Sequence, residues 1–227
     1  MSPKSLRLLS VFCAAVYLFT QPWQPYPGSF AIKGLSVGTL AVLAFRRSGA
    51  SRDIAILGAA LIFSSLGDVL LDLDPQRLFV YGLGSFLIAH LIYVCLFVRN
   101  RPRPLAIGAA QAVPVILALI YSAAVSVWLW SNLGSLTIPV AIYLCAITAM
   151  VVTAILARFS NPWVICGAIL FVISDSLLAI DKFKTPVPFR DVLVWSTYYL
   201  GQYGIASGLL LVSAHKTPPA ASAPVSR

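Results

Sequence analysis

Charge is scarce in this chain. Only 10% of its 227 residues are Asp, Glu, Lys or Arg, and 59% are hydrophobic. Soluble domains carry roughly a quarter charged residues, so a water-soluble globular fold is excluded. Histidine is nearly absent as well: His90 and His215 are the only two, which rules out a multi-His zinc site. The four cysteines (Cys13, Cys95, Cys145 and Cys166) form no CxxC pair and all fall in apolar stretches. They are predicted to be small buried hydrophobes, not disulfides or metal ligands. No GxSxG nucleophile elbow, P-loop or dinucleotide fingerprint occurs, which disfavours serine-hydrolase and nucleotide chemistry. The net charge of +9 comes without a basic patch interleaved with aromatics. It is read as loop charge, and nucleic acid is not an expected partner.

Long apolar runs are what the sequence does contain. Eight stretches, about 6–20, 29–46, 54–73, 77–98, 105–130, 136–157, 162–181 and 190–213, are separated by breaks carrying Pro, Gly, Arg or Asp. Each approaches the ~20 residues needed to cross the hydrocarbon core. The expectation is an all-α integral membrane protein with eight transmembrane helices, forming one domain over 1–213 with a disordered cytoplasmic tail over 214–227. Lys4 and Arg7 before Leu8 to Phe19 imitate a signal peptide, but no small-x-small site follows, so this segment is predicted to be an uncleaved first span. Pro114 is expected to kink the fifth span. Lys and Arg, Arg158 among them, fall eleven to five on alternate sides, which predicts cytoplasmic N and C termini. A bacterial plasma membrane is expected rather than the endoplasmic reticulum.

Two carboxylates lie deep inside these spans: Asp68 in the third and Asp175 in the seventh. An ionised side chain at the centre of a spanning helix costs roughly 2.5–3.5 kcal/mol on insertion scales, so such a group marks function by default. Aligning the two also aligns Gly67 with Ser174, Leu71 with Leu178 and Asp74 with Asp181. That offset of 107 residues predicts a parallel repeat of four helices plus four, with both carboxyls at similar depth. Each is placed five or six residues before its helix end, roughly 8–9 Å below the non-cytoplasmic boundary. The reactive bond of a lipid that sits beside its glycerol lies near that depth.

Two carboxyls converging from different helices suit acid–base chemistry, with one neutral as proton donor and the other ionised. The competing reading is an interhelical hydrogen bond that only orders the bundle. Asp72 shares a helix face with Asp68, and its role as site or structure stays open. Gly82, Phe86, His90 and Tyr93 form a stripe on the fourth span, where His90 is either a site residue or an interhelical partner. Asp68, Asp175 and His90 together remain a mixed metal-site alternative. Trp195, Tyr198, Tyr199 and Gln202 make a polar-aromatic patch on the eighth span, and Gly204 with Gly208 a helix-packing face. Lys33 meets an anionic head group or snorkels to the interface.

In their order and spacing, the Gly67-Asp68 pair, the Gly82–Phe86–His90–Tyr93 stripe, Ser174-Asp175 followed by Leu178-Ala179 and Phe183, and Tyr198-Tyr199 followed by Gln202 resemble the YhhN family of membrane lysoplasmalogenases. The likeness runs over about residues 30 to 205. One departure is Gly34 after Lys33, where the family often has Pro. The resemblance implies hydrolysis of the vinyl ether bond of a lysoplasmalogen, with Asp68 and Asp175 catalytic. It also implies substrate-binding positions at Lys33, Asp72, Gly82, His90, Tyr93, Ser174, Tyr198, Tyr199 and Gln202. No cofactor and no metal are expected, and the partners are a lysophospholipid substrate and membrane lipids. Two other classes stand beside this: a proton-coupled lipid transporter or flippase using the same Asp residues, and a structural or lipid-sensing membrane protein.

Overall fold

The computed structural model describes residues 1–105, 107–157 and 159–216, without the side chains of Ala50 and 213–216. Arg158, the tail from 217 onward and the His215 side chain lie outside the described residues. Among the residues it does describe there are eight α-helices and no strand: α1 (Pro3–Thr20), α2 (Ser29–Arg47), α3 (Arg52–Leu73), α4 (Phe79–Arg99), α5 (Ala109–Leu129), α6 (Thr137–Leu156), α7 (Trp163–Phe183) and α8 (Arg190–Lys216). The all-α reading holds. α1 to α7 are long and apolar enough to cross a bilayer. α8 is long enough but more polar, because it carries Ser196, Thr197, Tyr198, Tyr199, Gln202 and Tyr203.

Local chemistry sets the helix starts. Ser2 caps α1 by accepting from the Ser5 backbone N–H (3.1 Å), with Pro3 in the first turn, and Ser51 caps α3 through the Asp53 N–H (3.2 Å). In the short α3–α4 turn the Asp74 carboxylate accepts from the backbone N–H groups of Arg77 (2.9 Å) and Gln76 (3.1 Å). These bonds, the Arg77 one foremost, hold Asp74 below the usual carboxylate range.

Helices adjacent in sequence pack side by side: α1 on α2, α2 on α3, α3 on α4, α5 on α6, α6 on α7 and α7 on α8. Contacts between helices distant in sequence close the bundle, chiefly α4 against α6 and α2 against α8, with lighter ones of α8 on α3 and α1 and of α5 on α7. The α7–α8 contact is the tightest approach, as the Gly204–Gly208 face suggested. A Cβ on Gly167 would stand 2.5 Å from the Gly201 carbonyl oxygen, and one on Gly208 would stand 2.7 Å from the Val164 side chain. Apolar side chains such as Leu8, Leu35, Leu91, Ile116, Ile142 and Leu200 are exposed on the outer surface, as in a bundle solvated by lipid. The cysteines depart from expectation here. Cys13 is buried, but Cys95, Cys145 and Cys166 are exposed, because an apolar outer face accepts a thiol as readily as a core does.

The bundle leaves one end open. The ends of α1, α3 and α7 and the starts of α2, α4 and α8 meet there, tied by the Gln21 side chain donating to the Asp191 carbonyl (2.9 Å) and by Phe79 edge-on to Phe183 (centroids 6.3 Å). This end positions the site.

Candidate active site

A cavity of about 670 Å³ opens at that end. Its walls include Asp68 and Asp72 of α3, Asp175 and Ser174 of α7, Lys33 of α2 and Tyr198 of α8. Asp68 lies five residues from the end of α3, while α7 runs to Phe183, so Asp175 is eight residues from its end. At 1.5 Å per residue these are depths of roughly 7 and 12 Å. α7 is longer than the apolar pattern indicated, because Asp181 and Lys182 are accommodated in its final turn instead of ending it.

Each carboxylate is held by a tyrosine from another helix. Tyr198 donates to Asp68 Oδ2 (2.6 Å), and Tyr143 of α6 donates to Asp175 Oδ2. Asp68 is 2% exposed. Tyr198 is kept in place by edge-on rings, Phe86 at 5.6 Å and Phe171 at 5.2 Å. His90 approaches Asp175 from α4 with Nε2 3.9 Å from Oδ2. Its other nitrogen, Nδ1, lies 2.5 Å from the Phe86 carbonyl oxygen.

Asp72 is occupied differently. It accepts from Tyr17 of α1 and from Ser29 of α2 (2.5 Å), and Lys33 Nζ stands 3.9 Å away. Lys33 also lies 5.3 Å from the Tyr17 ring centre and 5.9 Å from that of Trp195, so it turns inward from the interface. The Asp72 cluster ties three helices together at the cavity rim.

The remaining expected positions separate by layer. Ser174 lines the cavity, but its hydroxyl donates to the Val194 carbonyl (2.9 Å) and fastens α7 to α8. Tyr93 donates to Gln202 Oε1 (2.7 Å) in a fully buried layer behind the cavity. Gly82 admits Leu71, whose side chain would lie 2.6 Å from an added Cβ. Tyr199 is not brought to the site; its hydroxyl pairs with Ser10 of α1 (2.8 Å). Among the described residues no three His, Cys, Asp or Glu side chains gather in a metal-holding group. Asp68, Asp175 and His90 are therefore not a ready-made ligand set.

Several contributors escaped the sequence reading. Tyr17 and Tyr143 are lone tyrosines inside apolar spans, with no polar neighbour in sequence to mark them. Lys182 and Arg190 also line the cavity; as helix-end cations they read as ordinary loop charge.

Fold and site together define a multi-pass helical membrane protein with an acid-lined cavity at one end of its bundle. The chain belongs to the YhhN family, whose model matches residues 28–209, in line with the motif resemblance. Over 224 residues it is 33% identical to a lysoplasmalogenase of Mycobacterium tuberculosis (strain CDC 1551 / Oshkosh), covering 94% of this chain and 83% of the relative. Over 223 residues it is 31% identical to the human lysoplasmalogenase TMEM86B, covering 95% and 90%. No solved structure matches.

Proposed function

We propose that this protein is a lysoplasmalogenase: it hydrolyses the vinyl ether bond of a lysoplasmalogen to a fatty aldehyde and a glycerophospho-head group. The observation that carries this reading is the pair Asp68 and Asp175, delivered from α3 and α7 to one cavity, in a chain with relatives named for that activity.

The chemistry follows from the bond. A vinyl ether resists direct attack by a nucleophile and reacts once its outer alkene carbon takes a proton, which leaves an oxocarbenium ion. A neutral Asp supplies that proton, while the second carboxylate stabilises the cation and takes a proton from the attacking water. The hemiacetal then loses the glycerol oxygen as an alcohol and becomes the aldehyde. One water is consumed and both carboxyls return to their starting states. Tyr143 and Tyr198 hold the carboxyls in position, and Lys33, Lys182 and Arg190 at the rim suit a phosphate.

The four-plus-four repeat belongs to the same reading. A two-fold relation exchanging α1–α4 with α5–α8 converts the α2–α8 contact into the observed α6–α4 contact. The offset of 107 places position 91 opposite Tyr198, and His90 beside it is the α4 residue that faces Asp175. We read both termini as cytoplasmic from the Lys and Arg asymmetry, and the membrane as a bacterial plasma membrane, in keeping with the mycobacterial relative.

The test is incubation of purified protein with a vinyl-ether lysophospholipid and assay of free aldehyde. Aldehyde release with matching loss of substrate supports the reading. No aldehyde, together with lipid or proton movement in vesicles, would favour the transporter alternative.

A further inference from the structure

A second cavity lies against the first. It is narrow, about 60 Å³, and runs between α4, α5, α6 and α7 beside the acid-lined chamber. Leu83, Val125, Leu144, Val172 and Ala179 give it an almost wholly apolar lining. The two cavities share Leu71, Phe79, Phe86, Leu178 and Asp175 as a common wall. Asp175 therefore has one side toward a polar chamber that suits a head group and the other toward a hydrocarbon-lined slot.

The helix that flanks this slot is the least anchored in the bundle. Val125 and Leu129 are its buried residues, and Val113, Ile116, Leu117, Ile120 and Val127 are exposed on its surface. α5 leans on α6, with a lighter contact to α7, whereas α4 packs on α3 and α6. The slot can therefore widen by displacement of α5 while the α3–α4 and α7–α8 frameworks that hold Asp68 and Asp175 stay in place.

We propose that the slot is the binding site for the single hydrocarbon tail of a lysolipid. It rests on the reading above and adds to it how the substrate lies. The phosphate sits in the polar chamber, the tail passes the Leu71–Leu178 wall into the slot, and the bond joining tail to glycerol is drawn across Asp175. Continuity of the two cavities through Asp175 is the argument for this occupant, since a tail and a head group joined by a few atoms need adjoining apolar and polar compartments.

The direct test uses the full-length protein in lipid nanodiscs and a sixteen-carbon alkyl lysophosphocholine with a diazirine at the tail end. The probe has no vinyl ether, so labelling is read without turnover. Photolysis is expected to mark slot residues such as Leu144, Val172 or Ala179. Marks confined to outward residues such as Ile142 and Leu91 would overturn the proposal, because the tail would then lie in the surrounding lipid. Ala179→Phe is expected to cut slot labelling by about tenfold or more by displacing several methylenes. It should also slow a sixteen-carbon vinyl-ether substrate more than an eight-carbon one. Equal losses at both lengths would contradict the proposal, and Leu144→Trp repeats the test in case Ala179→Phe misfolds. If wild-type protein released no aldehyde from either substrate, the hydrolase reading would fail, while the labelling pattern would still decide the tail site.

Discussion

His90 and Asp175 face each other from α4 and α7, with Nε2 and Oδ2 3.9 Å apart. The Phe86 carbonyl can only accept, so His90 donates from Nδ1, and in the neutral ring this turns the Nε2 lone pair toward the carboxyl. Fully buried and edge-on to Tyr143 (centroids 5.1 Å), the imidazole has little room to reorient. Under the proposed mechanism this imidazole positions Asp175 and exchanges a proton with it.

His90→Ala is therefore expected to lower kcat by about ten- to a hundredfold, within the range for a lost acid–base contribution, with KM changed little. His90→Gln, which keeps an acceptor near the same place, is expected to retain more activity than Ala. Steady-state kinetics on a vinyl-ether lysophospholipid check this, and a change in KM alone would assign His90 to packing.

Tyr143→Phe and Tyr198→Phe each remove one hydrogen bond from a candidate catalytic carboxyl, charge-assisted for the one that is ionised. The loss is expected to be roughly 0.5–1.5 kcal/mol at the neutral carboxyl and roughly 1.5–3 kcal/mol at the ionised one, on the order of several-fold and ten- to a hundredfold in kcat/KM. Tyr199→Phe, whose hydroxyl serves Ser10 instead, is expected to leave kcat/KM near that of the wild type. Similar losses in all three would contradict the placement of the site.

Asp72→Ala leaves the Tyr17 and Ser29 hydroxyls and the Lys33 ammonium without their shared acceptor. Unpaired polar groups at a partly buried site cost roughly 1–3 kcal/mol each, more where one is charged. The variant is expected to unfold several degrees lower in detergent, with added Lys33→Met recovering part of the loss. Unchanged thermal stability would show that the cluster does not brace α1, α2 and α3.

Gly167→Ala forces the α7 and α8 backbones apart, since its Cβ would meet the Gly201 carbonyl oxygen at 2.5 Å and the Ile205 nitrogen at 2.8 Å. Overpacking of this kind costs about 1–3 kcal/mol. Gly84→Ala on α4 meets nothing within 4 Å and is expected to be neutral or stabilising by up to about 1 kcal/mol. Comparing the two melting temperatures checks the α7–α8 crossing.

The helices were legible from the sequence because a bilayer demands long uninterrupted apolar runs, and Pro, Gly and charge must gather at the breaks. Asp68 and Asp175 were legible for the same reason: a carboxylate in such a run is costly and stands out. Their neighbours were harder to read. Tyr143 is one aromatic among many until α6 packs beside α7, and Tyr199 looks identical in sequence to Tyr198, although one helical position turns it to α1. The thiols misled because hydropathy does not separate a lipid-facing surface from a protein core. α8 ran the other way: its polarity lowers its apparent fitness as a span, yet Trp195, Tyr198 and Gln202 are all turned into the bundle.

Aldehyde release by Asp68→Asn and Asp175→Asn, each compared with wild type after a folding check by thermal melt, bears most directly on shared work by two carboxyls. Asn keeps the shape but supplies no carboxyl proton and carries no charge. Each variant is expected to fall by at least about a hundredfold in kcat, and the double variant little further, because the two act in one step. Near-wild-type turnover in either single variant would contradict the account.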